Sequence, residues 1–203
     1  AVGTVSGLLL FLATLVLVLL SACVPAGPAA PAGTGEAPAR GGTLVLALWQ
    51  DPAGLLPNFA SQNVAYVVSS VSVEGLTDTD TDGGYVPALA KRVPTIGNGG
   101  VTMLPGGRMD VTYELLPDVK WSDGSPLTSA DVRFTWETFV KDPKVITKDG
   151  YSLIESVDTP TPTTAVLHYR QVYAAYLTRF GGLLPSSLAK ETDLSRSAFN
   201  RLP

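Results

Sequence analysis

Apolar side chains fall into three rhythms along the chain. From Leu8 to Leu20 they are continuous (LLLFLATLVLVLL). At roughly 13 residues this is the size of a signal-peptide hydrophobic region, short of the ~20 that a membrane-spanning helix needs. From Val24 to Gly42 nearly every residue is Pro, Ala or Gly. Such a stretch cannot bury enough apolar surface to order itself and predicts a semi-extended linker. From Thr43 onward apolar and polar positions alternate in patterns that predict a folded body.

Within that body, Thr43–Trp49 (TLVLALW) is short, apolar and rich in branched residues, which predicts a buried strand. Val64, Val67, Val68 and Val71 stand at helical spacing over 63–73. Pro87–Arg92 predicts a single helical turn with Pro at its first position. Met109–Leu115 alternates as a strand does, and Asp118–Trp121 leads into a turn at Asp123-Gly124. The clearest helix follows. Thr128 caps it with Asp131 three residues on, Val132, Phe134, Trp136, Phe139 and Val140 supply its apolar positions, and Asp142-Pro143 ends it. Ser152–Val157 and Thr164–Tyr169 predict two strands joined at 158–163. Tyr173–Phe180 predicts a short helix closed by Gly181-Gly182. There is no internal repeat. The mixed order of strands and helices predicts an α/β or α+β layered body.

Composition sharpens this picture. The 203 residues are 45% hydrophobic and 16% charged, in the range of a globular protein. The net charge of −4, with no basic stripe, argues against nucleic-acid binding. Cys23 is the only cysteine, so no disulfide framework exists and the body must hold by packing. Cys23 also closes Leu20-Ser21-Ala22-Cys23, which resembles the bacterial lipobox. Its small residues let a peptidase approach the backbone, and its thiol accepts the lipid. A buried thiol and an uncleaved anchor helix are the competing readings. The segment departs from the usual signal in having no initiator Met and no charged residue before Glu36. One acyl chain holds a protein only marginally at a bilayer, whereas two or three hold it firmly. The expected organisation is therefore a lipoprotein signal peptide at 1–22, a tether at 23–42 and the body at 43–203.

Catalytic and metal chemistry finds little support. Asp78-Thr79-Asp80-Thr81-Asp82-Gly83 matches the opening of a calcium loop, but Leu89 occupies the position of the bidentate Glu, which favours a solvated acidic turn. Ser187-Leu188-Ala189-Lys190 fits S-x-x-K without the companion motifs of acyl enzymes. His168 is the only histidine and cannot form a histidine-based metal cluster. G-x-S-x-G and H-E-x-x-H are both absent, so an extracellular hydrolase lacks the residues it requires. Most aromatics belong to predicted elements and read as core. Trp49 differs: it ends a predicted strand before a Pro/Gly loop, the place where ligands of α/β proteins tend to bind.

Several segments together resemble one family, the extracellular solute-binding proteins of family 5, which serve peptide, dipeptide, nickel and related ABC importers. They are Gly41-Gly42-Thr43-Leu44-Val45, Leu55-Leu56-Pro57-Asn58, Val73-Glu74-Gly75-Leu76, Gly84 to Ala90 (GYVPALA) and Ile154 to Pro185. The most specific is Val111 to Trp136, VTYELLPDVKWSDGSPLTSADVRFTW, similar to the family's "V-K-W/F-x-D-G-x-P-x-T-A-x-D-V-x-F-S". Leu56 stands where the family commonly has Asp.

The resemblance implies a periplasmic-binding-protein type II-like α/β fold, of which this chain would hold part of the first of two lobes. Family members usually run to more than twice this length. Two such lobes close like a hinge on a solute, and the closed form docks on ABC permease subunits. Peptides are held as extended strands through main-chain hydrogen bonds. The resemblance places a cleft-facing loop at Ser61, Gln62 and Asn63, and a first-lobe aromatic at Tyr151. The acid that takes a peptide's amino terminus would come from the other lobe. No cofactor and no enzymatic activity are implied. The location would be the cell envelope, lipid-anchored at Cys23 on the outer face of the cytoplasmic membrane. An isolated half is expected to bind weakly or not at all and to expose lobe-facing apolar surface. A lipid-anchored interaction protein that keeps the lobe without transport is the alternative.

Overall fold

The computed structural model describes residues 45–191, 193–197 and 199. The apolar run Leu8–Leu20, Cys23, the linker at 24–42 and the start of the predicted first strand lie outside them. Contacts divide the chain after Leu46. Only Val45 and Leu46 of the first unit are described, so the architecture below is that of the second.

That unit is built on a four-stranded antiparallel sheet in the order β3-β4-β6-β5, with β3 at Val101–Leu104, β4 at Arg108–Glu114, β5 at Ile154–Thr161 and β6 at Thr164–Tyr169. β4 alternates as its sequence predicts, turning Met109, Val111 and Tyr113 inward. The register aligns Val101, Val111, Leu167 and Val157 in one row across all four strands, and each is buried. Cross-strand apolar neighbours of this kind are what fix register, because a one-residue slip would turn the whole row to solvent.

A helix covers the inner face: α2, Ser129–Lys141. Thr128 and Asp131 form the predicted capping box, with the Thr128 amide donating to Asp131 Oδ2 at 2.7 Å. Val132, Thr135 and Phe139 are its buried stripe, and the helix stops at Asp142 as predicted. Arg133 Nε donates to the Val157 carbonyl at 2.7 Å, and Ser129 Oγ to the Thr161 carbonyl at 2.6 Å, which lock α2 to β5. The turn at Asp123-Gly124 also forms, with Gly124 at φ 85°, a conformation open to glycine at little cost.

Upstream lie α1, Asn63–Ser69, and a hairpin of β1 (Thr77–Thr79) and β2 (Tyr85–Pro87). α1 is shorter than its valine spacing predicts. It buries Val64 and Ala65 but leaves Tyr66 and Val67 exposed, with Val71 exposed just beyond its end. The acidic turn belongs to the hairpin: Asp80 Oδ1 accepts from the amides of Asp82 (3.0 Å) and Gly84 (2.7 Å). Its carboxylate thus shapes the turn, and no metal-holding group occurs among the described residues. His168 lies on the sheet between two carboxylates, Nδ1 at 2.8 Å from Asp110 and Nε2 at 3.3 Å from Asp158.

Three predicted elements differ. Residues 45–49 form no strand, and Trp49 is 69% exposed. A branched apolar run becomes a strand only where a neighbour completes its hydrogen bonds, and neither sheet edge pairs with this one. Pro87–Arg92 is extended, not helical. The amides of Leu89 and Ala90 donate to the carbonyls of Gly75 and Leu76, and Ala90 bridges to Leu115. A lone helical turn has too few internal bonds to compete with such partners. Tyr173–Phe180 holds only a 3-10 turn at Tyr176–Thr178.

Candidate functional site

The reason Tyr173–Phe180 does not run on as a helix lies in what surrounds Phe180. Its carbonyl accepts from the Leu76 amide at 2.9 Å, and its own amide donates to the Tyr151 hydroxyl at 2.8 Å. Phe180 sits at φ 57°, a left-handed conformation that a non-glycine residue keeps only when its surroundings hold it. Gly75 makes the approach possible, since a Cβ there would fall 2.5 Å from the Phe180 carbonyl oxygen and 2.6 Å from Gly181 Cα. The glycine of the Glu74-Gly75-Leu76 motif therefore has a steric cause.

This crossing closes one end of a cleft of about 370 Å³. Its lining includes Tyr66 and Ser69 of α1, Ser70 just beyond that helix, and Thr147, Thr178 and Arg179. Tyr151 and Phe139, both buried, also line it. Tyr151 is held in edge-to-face contact by Phe139 (centroids 5.1 Å apart) and Phe180 (5.2 Å). Its carbonyl accepts from Trp136 Nε1 at 3.2 Å. Burial pushes the Tyr151 phenol up to about 12, against the opposing pull of the Phe180 N–H and the nearby Arg179.

Arg179 is fixed as tightly. Its Nε and one terminal nitrogen donate to Thr178 Oγ1 (3.1 and 2.8 Å), and the other donates to the Asp149 carbonyl at 2.9 Å. The guanidinium carbon lies 5.8 Å from the centre of the Tyr151 ring. Gly150, at φ 72°, makes room, because a Cβ there would meet Arg179 Cδ and the Tyr173 ring at 2.8 Å.

Of the residues singled out from sequence, Tyr151 lies in this cleft. Ser61, Gln62 and Asn63 sit at the N-terminal end of α1, the helix whose Tyr66 and Ser69 line the cleft, and are not themselves among its lining residues. Gln62 Oε1 accepts from the Ala53 amide at 2.8 Å, which ties the loop after Trp49 to the same end of α1. Trp49 itself is solvent-exposed. Arg179, Tyr66 and Thr178 were not anticipated. The available signal was Arg179 as the one charge in an otherwise uncharged run, Val172 to Ala189.

The chain is similar to known proteins. A probable monoacyl phosphatidylinositol tetramannoside-binding protein, LpqW, of Mycobacterium tuberculosis is 33% identical over 82 residues, 40% of this chain and 13% of that protein. The oligopeptide-binding protein OppA of Bacillus subtilis is 29% identical over 136 residues, 66% of this chain and 23% of that protein. The chain thus matches less than a quarter of the length of these relatives. An oligopeptide-binding protein of Thermus thermophilus, solved with a pentapeptide, superposes with a TM-score of 0.59 at 26% identity, over 68% of this chain and 25% of that one. The α/β body is accordingly part of a lobe of the type II periplasmic-binding-protein fold. Residues 84–202 match the profile of the bacterial extracellular solute-binding proteins, family 5, and the chain belongs to that family.

Proposed function

We propose that the chain supplies part of the binding lobe of a solute receptor for an ABC importer. It would capture a peptide or a similar small solute outside the cytoplasmic membrane and present it to the permease. The observation that carries this reading is the cleft itself. Tyr151, held in edge contact by Phe139 and Phe180, lines it together with the polar side chains of Tyr66, Ser69, Thr147, Thr178 and Arg179. Sites that bind small molecules are concave, mostly apolar and fixed before the ligand arrives. The family and its peptide-binding relatives support the same reading.

In this reading Tyr151 forms the base of the site, and Ser61, Gln62, Asn63 and Trp49 belong to its rim on the α1 side. Closure of a second lobe would bury the solute, and the closed form would dock on the permease. Cys23, outside the described residues, would carry the lipid, with 1–22 removed as a signal peptide and 23–42 as the tether of a body beginning at Thr43. No catalytic step is involved.

Saturation-transfer NMR on the chain, with a mixture of di- and tripeptides, sugars and amino-acid derivatives, tests this. Saturation transfer registers the weak, millimolar binding that one lobe would retain, so signals are expected for one solute class, and the affinity should fall at least ~10-fold in Y66A. Absence of transfer to every class would remove the solute reading. The exposed Tyr66, Val67 and Val71 would then favour a lipid-anchored interaction protein.

A further inference from the structure

The lining of the cleft holds one charged side chain, Arg179, and no carboxylate. We propose that the cleft takes a small solute through its carboxylate group, bound at Arg179, with an apolar or aromatic part lying against the exposed Tyr66. The inference rests on the solute-capture reading and names the chemical class of the solute.

Arg179 is built to receive such a group. Its partners among the described residues are a hydroxyl, a carbonyl and an aromatic ring, so its charge is positioned without being neutralised by an acid. A guanidinium carries five N–H donors, and these contacts engage three, which leaves two for a ligand. Two such donors suit a carboxylate, and hydrogen bonds between ions are about twice as strong as neutral ones. Neither charged neighbour, Asp149 or Lys148, is among the cleft's lining residues. Asp149 Oδ2 accepts from the Tyr173 hydroxyl at 3.3 Å, and the Lys148 ammonium donates to the Val140 carbonyl. Asn58, Ser69, Ser70 and Thr147 are among the other polar lining residues. The volume, about 370 Å³, is at the small end of ligand sites and fits a compact solute.

Benzoate and benzamide share shape and differ in charge, so amide-shift titrations of the chain with each separate the two contributions. Benzoate should shift Thr178, Arg179, Gly181 and Gly182 and bind at least ~10-fold tighter than benzamide. R179Q should bring the two together, and R179K should keep a reduced preference, because lysine retains charge without the fork. Unchanged shifts of Val111, Leu167 and Val157 in the sheet would show that each variant is folded. If R179Q unfolds, the benzoate-to-benzamide ratio of the unaltered chain and of R179K decides. Equal affinities in the unaltered chain, or a benzoate preference that survives R179Q, would overturn the proposal and leave solute capture standing. A cleft untouched by both probes and by every solute of the saturation-transfer mixture would remove both.

Discussion

Asp131 Oδ1 accepts the Ser186 amide at 2.7 Å, joining residues 55 apart in the chain. The same buried carboxylate caps α2 through the Thr128 amide and meets Trp121 Nε1 at 3.4 Å. One turn on, Thr135 Oγ1 accepts the Leu184 amide at 2.8 Å. Asp131 and Thr135 together seat the Leu184–Ser186 segment on the helix. Replacing Asp131 by Ala removes the cap contact and strands buried donors, so D131A should lose about 3 kcal/mol in urea unfolding. A loss under about 1 kcal/mol would show that these bonds do not organise the lobe.

Two glycines separate steric from conformational need. A Cβ at Gly75 would strike backbone at 2.5 Å, whereas one at Gly83, φ 81°, would meet nothing within 4 Å. G75A should cost about 2 kcal/mol or more and disturb the Phe180 crossing, while G83A should cost about 1 kcal/mol. The two are compared by thermal unfolding, and equal costs would contradict the close approach.

Alkaline pH should weaken the fold. The Tyr151 phenol is pushed from 10.0 to about 12 by burial, so the folded state favours its neutral form. That contribution is fully present below about pH 10 and is lost as pH rises toward 12. Burial also raises Tyr113 and Tyr169, which adds to the same trend. Urea midpoints should therefore fall steeply between pH 10 and 12, with Tyr151 contributing on the order of 1–2 kcal/mol. A flat profile over that range would contradict the burial of these phenols.

The three tyrosines are not equivalent. The hydroxyls of Tyr113 and Tyr169 are buried with no partner among the described residues, whereas that of Tyr151 holds the Phe180 amide. Y113F should leave stability unchanged or raise it by up to about 1 kcal/mol, and Y151F should lower it by about 1–2 kcal/mol. The opposite order in chemical denaturation would contradict this assignment.

How far the sequence reached depends on the range of the forces involved. The α2 cap, β4, β6 and the Asp123-Gly124 turn were legible because their signals lie within a few residues. Asp131 was legible as a cap, but its bond to Ser186 was not, since nothing local encodes a partner 55 positions away. Thr43–Trp49 carried the composition of a strand, but its described part, residues 45–49, pairs with no strand among the described residues. Tyr151 came from resemblance alone. Arg179 escaped because its position is set by Gly150, Asp149 and Tyr151 through packing, which leaves no periodic trace.

The central claim is that a small solute binds between α1 and the Thr178–Gly182 segment. It is tested most directly by titrating the isotope-labelled chain with trialanine and with benzoate at millimolar concentration and mapping the amide shifts. Saturable changes centred on Tyr66, Ser69, Thr178 and Gly181 are the expected result. No saturable change, or changes confined to the sheet surface around His168, would contradict it.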